Sequence, residues 1–384
     1  MNIKHLDANF MRGDPINMKK LVSLLLALTM LLGAVSFASA EDAIRVAMVT
    51  DSGDITDQSF NQTTYEAAKA YCDAKGLDFN YYKPASDSDP DRVSAIEQAI
   101  DEGYNVIVLP GYLFAPAIAE LQDVYTDVYF VGLDISDFDL GVAPASNVFT
   151  AVYQEELSGY MAGYAAVKLG YKHLGFLGGM AVPAVVRFGF GFVQGADAAA
   201  KEMGIENEVA VEYVYGNQFF GDADITAYMD NWYQNLGVQV VFACGGGIYT
   251  SAAEAAVKVP GGKVIGVDTD QCAKIDGDYG TGLTVTSAMK GLAATVNTLL
   301  SEIEAGNFAN YGGKVETLGL VSADDPAVNY VQIPMESTQW ADTFTVEDYK
   351  AMVKAMFEGT VVVSNDIAAM PATSIAVTDH GNVK

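Results

Sequence analysis

The chain has 384 residues, 51% of them hydrophobic, which is enough for two domains with complete cores. Its formal net charge of −28 at pH 7 repels nucleic acid and anionic membrane surfaces, so nucleic acid is not expected as a partner. The cysteines at 72, 244 and 272 are odd in number and far apart, and no histidine cluster accompanies them. This pattern argues against a disulfide framework and against a metal site.

The first forty residues have the pattern of a secretory signal peptide. A charged start at 18–20 precedes an apolar core at 21–35, and small residues at 38–40 form a cleavage site. We predict a signal peptide at 1–40, with its core at 18–40, and an exported protein. Its expected place is periplasmic or extracellular, at the outer side of the cytoplasmic membrane. The true start is left open between Met1, Met11 and Met18.

The first unit of the predicted fold is a strand, a polar loop and a helix. Ile44–Thr50 is a short apolar run, typical of a strand buried in a parallel sheet. Ligands of open α/β sheets bind beyond the carboxyl ends of the strands. The candidate ligand contacts in the loop that follows are Asp51, Ser59, Phe60 and Asn61. The alternative is that Ser59 and Asn61 only cap the helix and that Phe60 packs into the core.

Strands and helices alternate along the rest of the chain in two runs of similar size, before and after Lys172. They predict an α/β protein with two doubly wound parallel-sheet lobes. The late elements are too few for a third domain, so the chain is expected to cross between the lobes more than once, at hinge crossovers. We place the N-terminal lobe at 41–150 plus about 285–320, and the C-terminal lobe at 151–284 plus about 321–384.

Acidic or aromatic residues stand at the ends of several predicted strands. They are Asp51, Asp134, Phe242 and Asp268. Carboxylates accept hydrogen bonds from sugar hydroxyls or ring N–H groups, and an aromatic face stacks on a flat base for roughly 1–3 kcal/mol. The glycines at 245–247 would let backbone amides approach a ligand closely. The alternative for any one of these polar side chains is a helix cap.

Five blocks of this sequence resemble the basic membrane protein (BMP) family, which includes purine-nucleoside receptors of ABC importers. The resemblance runs from about Ile44 to Asn307 and implies a type I periplasmic-binding-protein fold. The blocks are TDSGDITDQSFNQ (50–62), LGFLGGMAVPAVVRFGFGFVQGADAAA (174–200), VVFACGGGIYTSAAEAA (240–256), IGVDTDQ (265–271) and TVTSAMK (284–290).

The resemblance implies a role for each matching residue of the first lobe. Phe60 falls on one aromatic wall against the base, with Asp51 and Asn61 as polar contacts beside it and Ser59 in the same motif. Asp134 falls on the family's aspartate that accepts from the base edge. The implied ligand is a purine nucleoside: adenosine, guanosine or inosine.

The second lobe supplies the other implied contacts. Phe242 falls on the opposite aromatic wall, with Gly246 beside it, and Phe219 is a second candidate for that wall because the glycine loop is one residue shorter here. Asp268 falls on the aspartate that binds the ribose hydroxyls. Lys290, expected in the first turn of a helix, falls on the lysine beside it.

The resemblance also implies partners. We expect a monomer that delivers its ligand to an ABC permease at the membrane. Many family members carry a lipobox cysteine at the cleavage site, whereas Glu41 follows Ala40 here, which implies a receptor without a lipid anchor. How such a receptor stays near its importer is left open.

No catalytic motif is visible, because the chain lacks GxSxG, HExxH, GxxxxGK[ST] and a GxGxxG after the first strand. We therefore expect no enzyme, no cofactor and no metal. A sugar or autoinducer receptor of the same fold is one alternative, which the sequence separates poorly from a nucleoside receptor. A nucleoside-cleaving hydrolase would need a metal cluster or an activated water. A transcription regulator of this fold would need a basic DNA-binding headpiece.

Overall fold

The computed structural model describes residues 44–383, and the predicted signal peptide at 1–40 lies outside them. The strands are β1 (Val46–Val49), β2 (Phe79–Tyr82), β3 (Val106–Pro110), β4 (Tyr129–Leu133), β5 (Val148–Tyr153), β6 (His173–Gly178), β7 (Ala210–Tyr215), β8 (Val240–Cys244), β9 (Lys263–Asp268), β10 (Thr284–Lys290), β11 (Lys314–Leu318), β12 (Val331–Gln332) and β13 (Ala376–Asn382). The helices are α1 (Phe60–Lys75), α2 (Asp89–Asp101), α3 (Ala115–Leu121), α4 (Asp137–Leu140), α5 (Glu155–Lys168), α6 (Pro183–Met203), α7 (Ala223–Asn231), α8 (Tyr249–Ala256), α9 (Cys272–Tyr279), α10 (Leu292–Glu304) and α11 (Val346–Phe357).

The strands form two sheets. The first has the order β11-β5-β4-β3-β1-β2, and all its neighbouring strands are parallel. The second has the order β12-β10-β9-β8-β6-β7-β13, in which only β12 is antiparallel to its neighbour. The predicted α/β architecture with two parallel-sheet lobes is confirmed.

The central strands bury both of their faces. In β1, Val46 and Met48 face one hydrophobic cluster while Ala47 and Val49 face another, and all four are fully buried. Helices cover both faces of such a parallel sheet, which is why β1 is apolar throughout instead of alternating with polar residues. The carboxyl ends of these strands are then the places where polar side chains meet solvent or a ligand.

Within the described residues the chain passes between the sheets three times, after β5, β10 and β11. Two strands differ from the expected lobe boundaries. Residues 148–153 all belong to the first sheet, although the boundary was expected at 150, and residues 284–290 belong to the second, although about 285–320 were expected in the N-terminal lobe. An apolar run predicts that a strand is buried. It does not predict which strands pair with it, because those strands lie far away in the sequence.

Helices α5 and α6 pack closely because glycines of each meet the backbone of the other. A Cβ added to Gly163 would overlap the carbonyl oxygen of Phe192, and one added to Gly191 would overlap that of Glu156. These contacts hold residues 156–163 of α5 against residues 188–195 of α6. Within residues 44–383, no helix combines the length and the apolar character needed to span a membrane.

Candidate functional site

Strand ends from both sheets surround one cavity, whose empty volume is about 950 Å³ when its open mouth is counted. Strands β1 and β4 of the first sheet and β9 and β10 of the second end at this cavity. The expected site residues that line it are Asp51, Phe60, Asn61, Asp134, Gly246, Asp268 and Lys290.

The loop between β1 and α1 is held by Asp57, which the sequence did not single out. Its carboxylate accepts hydrogen bonds from the backbone N–H groups of Ser59 (2.9 Å), Asn61 (2.9 Å) and Gln62 (3.0 Å). Asp57 therefore caps α1, whereas the Ser59 side chain makes no capping bond. The Ser59 hydroxyl instead donates to Asp268, at the end of β9 in the other sheet, at 2.6 Å. Ser59 is fully buried and joins the two sheets instead of lining the cavity.

Asp51 is oriented by its neighbours in the same loop. Its Oδ1 accepts from the backbone N–H of Gly53 (2.7 Å) and from the side-chain amide of Asn61 (2.8 Å). Burial raises the pKa of Asp51 to about 6, against the lowering effect of these two hydrogen bonds. The carboxyl therefore changes charge just below neutral pH. Phe60, half-buried, forms part of the cavity wall beside it.

Lys290 is the last residue of β10, so the expectation that it lies in the first turn of a helix is wrong. Its ammonium lies 2.6 Å from Asp134 and 3.7 Å from both Glu155 and Asp268. It also lies 4.7 Å from the ring centroid of Phe60. Burial alone would lower the pKa of Lys290, but the carboxylates raise it, so the lysine stays charged.

Asp134 and Asp268 occupy corresponding places in the two sheets, directly after or at the end of a strand. Both have a left-handed backbone, with φ of 59° and 64°, a conformation that aspartate tolerates better than most residues. Asp134 Oδ1 is buried and has no hydrogen-bond partner among the described residues. Burial raises the pKa of Asp268, while Lys290 and Ser59 oppose that effect. These strand-end turns place two carboxylates at one cavity.

The structure does not support Phe242 as the second aromatic wall. Phe242 is fully buried in the middle of β8, with its ring centroid 5.5 Å from Phe176, 6.0 Å from Phe188 and 5.4 Å from Phe192. A side chain in mid-strand faces a helical layer, whereas a ligand lies at the strand's end. Phe219, the second candidate, lines the cavity instead.

Glycines make room for the ring of Phe219. A Cβ added to Gly179 would overlap this ring, and one added to Gly245 would lie 2.9 Å from its Cδ1. Gly246 has φ of 53°, and its neighbour Gly247 donates a backbone hydrogen bond to the carbonyl of Phe219 at 2.8 Å. The glycines at 245–247 therefore leave space for the side chain of Phe219, which lies in the loop after β7.

Two charged residues of the site were missed from the sequence, Glu155 and Arg187. Glu155 is fully buried at the start of α5 and accepts from Arg187 Nε at 2.5 Å. Burial raises the pKa of Glu155, while Arg187 and Lys290 oppose that effect. Arg187 lines the cavity, and a signal for it existed, because it is the one charged residue between positions 182 and 193.

The site combines hydrogen-bond acceptors, a buried lysine, a partly exposed arginine and aromatic surface. Among residues 44–383, no group of three or more His, Cys, Asp or Glu side chains could hold a metal ion. The arrangement suits a small ligand with a flat ring and several donor groups.

Comparison with known proteins also indicates a protein that binds a small-molecule substrate. Residues 44–338 match the sequence model of the Bmp family, described as ABC transporter substrate-binding protein PnrA-like. The chain is 30% identical over 289 residues to the CD4+ T-cell-stimulating antigen of Listeria innocua serovar 6a, covering 71% of this chain and 76% of that protein. It is 26% identical over 293 residues to the ABC transporter nucleoside-binding protein BmpA of Lactococcus lactis subsp. cremoris, covering 72% of this chain and 79% of that protein.

Solved structures share the fold. The solute-binding protein of an ABC transporter system from Aeropyrum pernix K1 superposes with a TM-score of 0.64 at 20% identity, covering 84% of this chain and 88% of that one. The corresponding protein from Conexibacter woesei DSM 14684 also gives 0.64, at 22% identity, covering 84% of this chain and 99% of that one. The fold is that of type I periplasmic solute-binding proteins. The chain belongs to the Bmp family of extracytoplasmic ABC transporter substrate-binding proteins.

Proposed function

We propose that this chain captures a purine nucleoside in the cavity between its two sheets and delivers it to an ABC permease. The observation that carries this proposal is the cavity itself, where aromatic rings and carboxylates from both sheets line one space. Phe60 is the first residue of α1 in the first lobe and Phe219 lies in the loop after β7 in the second, and Asp134 and Asp268 lie at corresponding strand ends. The name of the Lactococcus lactis relative, a nucleoside-binding protein, also supports it.

Stacking and hydrogen bonds supply the affinity in this proposal. Stacking of a base on an aromatic side chain is worth roughly 1–3 kcal/mol. Asp134 Oδ1 is a buried acceptor without a partner among the described residues, and an N–H group of the base would satisfy it. Asp268 accepts from Ser59 through Oδ2 and lies 3.7 Å from Lys290 through Oδ1, and its carboxylate is the proposed partner of the ribose hydroxyls.

Closure of the two lobes around the ligand would signal to the permease that the receptor is loaded. Bonds between the sheets favour the closed arrangement: Ser59 to Asp268 at 2.6 Å, Gln271 Nε2 to the carbonyl of Gln58 at 2.9 Å, and Lys290 to Asp134 at 2.6 Å. We further propose that the receptor is exported by its leader and acts as a monomer.

Isothermal titration calorimetry with adenosine, guanosine and inosine tests the proposal. The protein is first unfolded, washed and refolded, so that carried-over ligand is removed. We expect saturable binding of at least one of the three nucleosides and weak or no binding of D-ribose. Absence of heat with all three would end the nucleoside proposal, and tight binding of ribose alone would favour a sugar receptor. Release of free base on incubation, followed by chromatography, would instead identify a hydrolase.

A further inference from the structure

Arg187 presents unused hydrogen-bond donors to the cavity. Its Nε donates to Glu155, and among the described residues no acceptor is found for its two terminal amino groups. The side chain is only 17% exposed and lines the cavity. An arginine whose Nε is fixed in this way holds its planar group in one orientation, so its remaining N–H groups are aimed before a ligand arrives.

An unused acceptor lines the same cavity. Lys290 occupies Oδ2 of Asp134 and lies 3.7 Å from Glu155, the residue that also holds Arg187. Oδ1 of Asp134 is buried and has no partner in the described part of the chain. The cavity therefore offers one acceptor and a forked donor within a single network of four charged side chains.

Purine bases differ in how well their edges match the acceptor of Asp134 and the donors of Arg187. Hypoxanthine and guanine present a donor at N1 and acceptors at O6 and N7, and arginine binds O6 and N7 together through its fork. Adenine presents an acceptor at N1 and a donor at N6, so it offers arginine no pair of adjacent acceptors. Asp134 only accepts and could take the N6–H of adenine, and Arg187 only donates and could reach N7 alone, so adenosine would lose one of the two bonds that the arginine fork makes to a 6-oxopurine.

We infer that Arg187 determines specificity by donating to O6 and N7 of the base, and that the receptor prefers 6-oxopurine nucleosides, inosine and guanosine, over adenosine. In this arrangement Asp134 accepts the N1–H of the same base. Glu155 is the positioning residue that fixes the arginine. The inference rests on the proposed function and deepens it by naming the class of purine.

Calorimetric titration of the refolded whole chain with matched ligands tests the inference. Inosine and adenosine differ only at the N1 and C6 positions, and we expect inosine to bind about 10- to 100-fold more tightly, the discrimination of a bidentate arginine contact. 7-Deazainosine lacks the N7 acceptor and should bind about tenfold more weakly than inosine. This ligand series needs no variant.

The variant Arg187→Lys then tests whether Arg187 causes the preference for inosine over adenosine. Lysine keeps a positive charge beside Glu155 but loses the fork, so the preference for inosine over adenosine should fall toward one. Arg45→Lys is the matched control, since Arg45 also pairs through Nε with a carboxylate, Asp78 at 3.0 Å, but on the surface. That variant should keep the wild-type preference.

The outcomes separate this inference from the proposed function. Equal binding of inosine and adenosine by the wild-type chain overturns the inference and leaves nucleoside capture standing. A preference that survives in Arg187→Lys also overturns it, because the arginine would then serve only to neutralise Glu155. Binding of no nucleoside overturns the proposed function, and the inference with it. If Arg187→Lys does not fold, the wild-type ligand series alone decides.

Discussion

Lys290 Nζ lies 2.6 Å from the Asp134 carboxylate and thereby joins a strand end of the second sheet to a strand end of the first. The lysine side chain is 2% exposed, and Glu155 and Asp268 each lie 3.7 Å from its ammonium. The lysine thus lies among three carboxylates beside a ligand cavity, and Glu155 also pairs with Arg187. Removing the lysine would leave Asp134 and Asp268 without this counter-charge and Glu155 with Arg187 alone.

Lys290→Met should therefore lower the free energy of unfolding by about 3–5 kcal/mol, the range for breaking a buried ion pair from one side. Equilibrium urea unfolding measures this change. Lys274→Met is the matched control, since Lys274 pairs with Asp278 at 2.8 Å on the surface with both side chains over 40% exposed. It should change stability by about 0–1 kcal/mol. Equal effects of the two substitutions would contradict the buried-charge argument.

The hydroxyl of Ser59 is expected to favour the closed arrangement, because it donates to Asp268 in the other sheet. Ser59→Ala leaves the buried carboxylate without this bond, which is worth about 1.5–3 kcal/mol for a charged partner. We expect a larger radius of gyration for the ligand-free variant in small-angle X-ray scattering. Ser337→Ala is the control, since Ser337 donates to Asp270 at the same 2.6 Å but at an exposed site. An unchanged radius for Ser59→Ala would show that this bond does not control closure.

Much of the site was predictable because parallel strands bring their carboxyl ends to one edge of a sheet. Asp51, Asp134 and Asp268 could be found by that rule alone. The rule failed for Phe242, which lies in the middle of β8. The hydrophobic pattern of a strand does not distinguish a core residue in its middle from a ligand contact at its end. The pairing of Arg187 with Glu155 could not be predicted, because the two residues are 32 positions apart and meet only through helix packing.

Phe219 and Phe242 should respond in opposite ways to truncation. Phe219→Ala removes a cavity wall, so nucleoside affinity should fall about 10- to 100-fold in calorimetric titration. Phe242→Ala opens a hole among core aromatic rings and should lower the free energy of unfolding by about 3–5 kcal/mol. Urea unfolding and titration of both variants give the comparison. Loss of affinity in Phe242→Ala at full stability would restore it as the ligand wall.

The packing of α5 on α6 should not tolerate a methyl group at Gly191. A Cβ there would overlap the carbonyl oxygen of Glu156, and a backbone atom cannot move aside as a flexible side chain can. We expect Gly191→Ala to lower the free energy of unfolding by about 3 kcal/mol or more, despite the better helix propensity of alanine. Gly277→Ala, in α9, is the control, because a Cβ there meets nothing within 4 Å. It should be neutral or stabilise by up to about 1 kcal/mol.

The buried carboxyl of Glu156 should make the free energy of unfolding fall as pH rises. It is buried, its Oε2 has no partner among the described residues, and burial raises its pKa to about 7 from 4.5. Between these values the folded state holds more protons than the unfolded state, so this group lowers stability as pH rises from 4.5 to 7. Glu156→Gln should therefore raise the free energy of unfolding at pH 8 by up to about 3 kcal/mol and change it little at pH 4.

Urea unfolding at both pH values measures this effect of Glu156→Gln. The control is Glu347→Gln, whose side chain is 81% exposed and which should not change the free energy of unfolding at either pH. A gain of the same size at pH 4 would mean that packing, and not the buried charge, explains the effect.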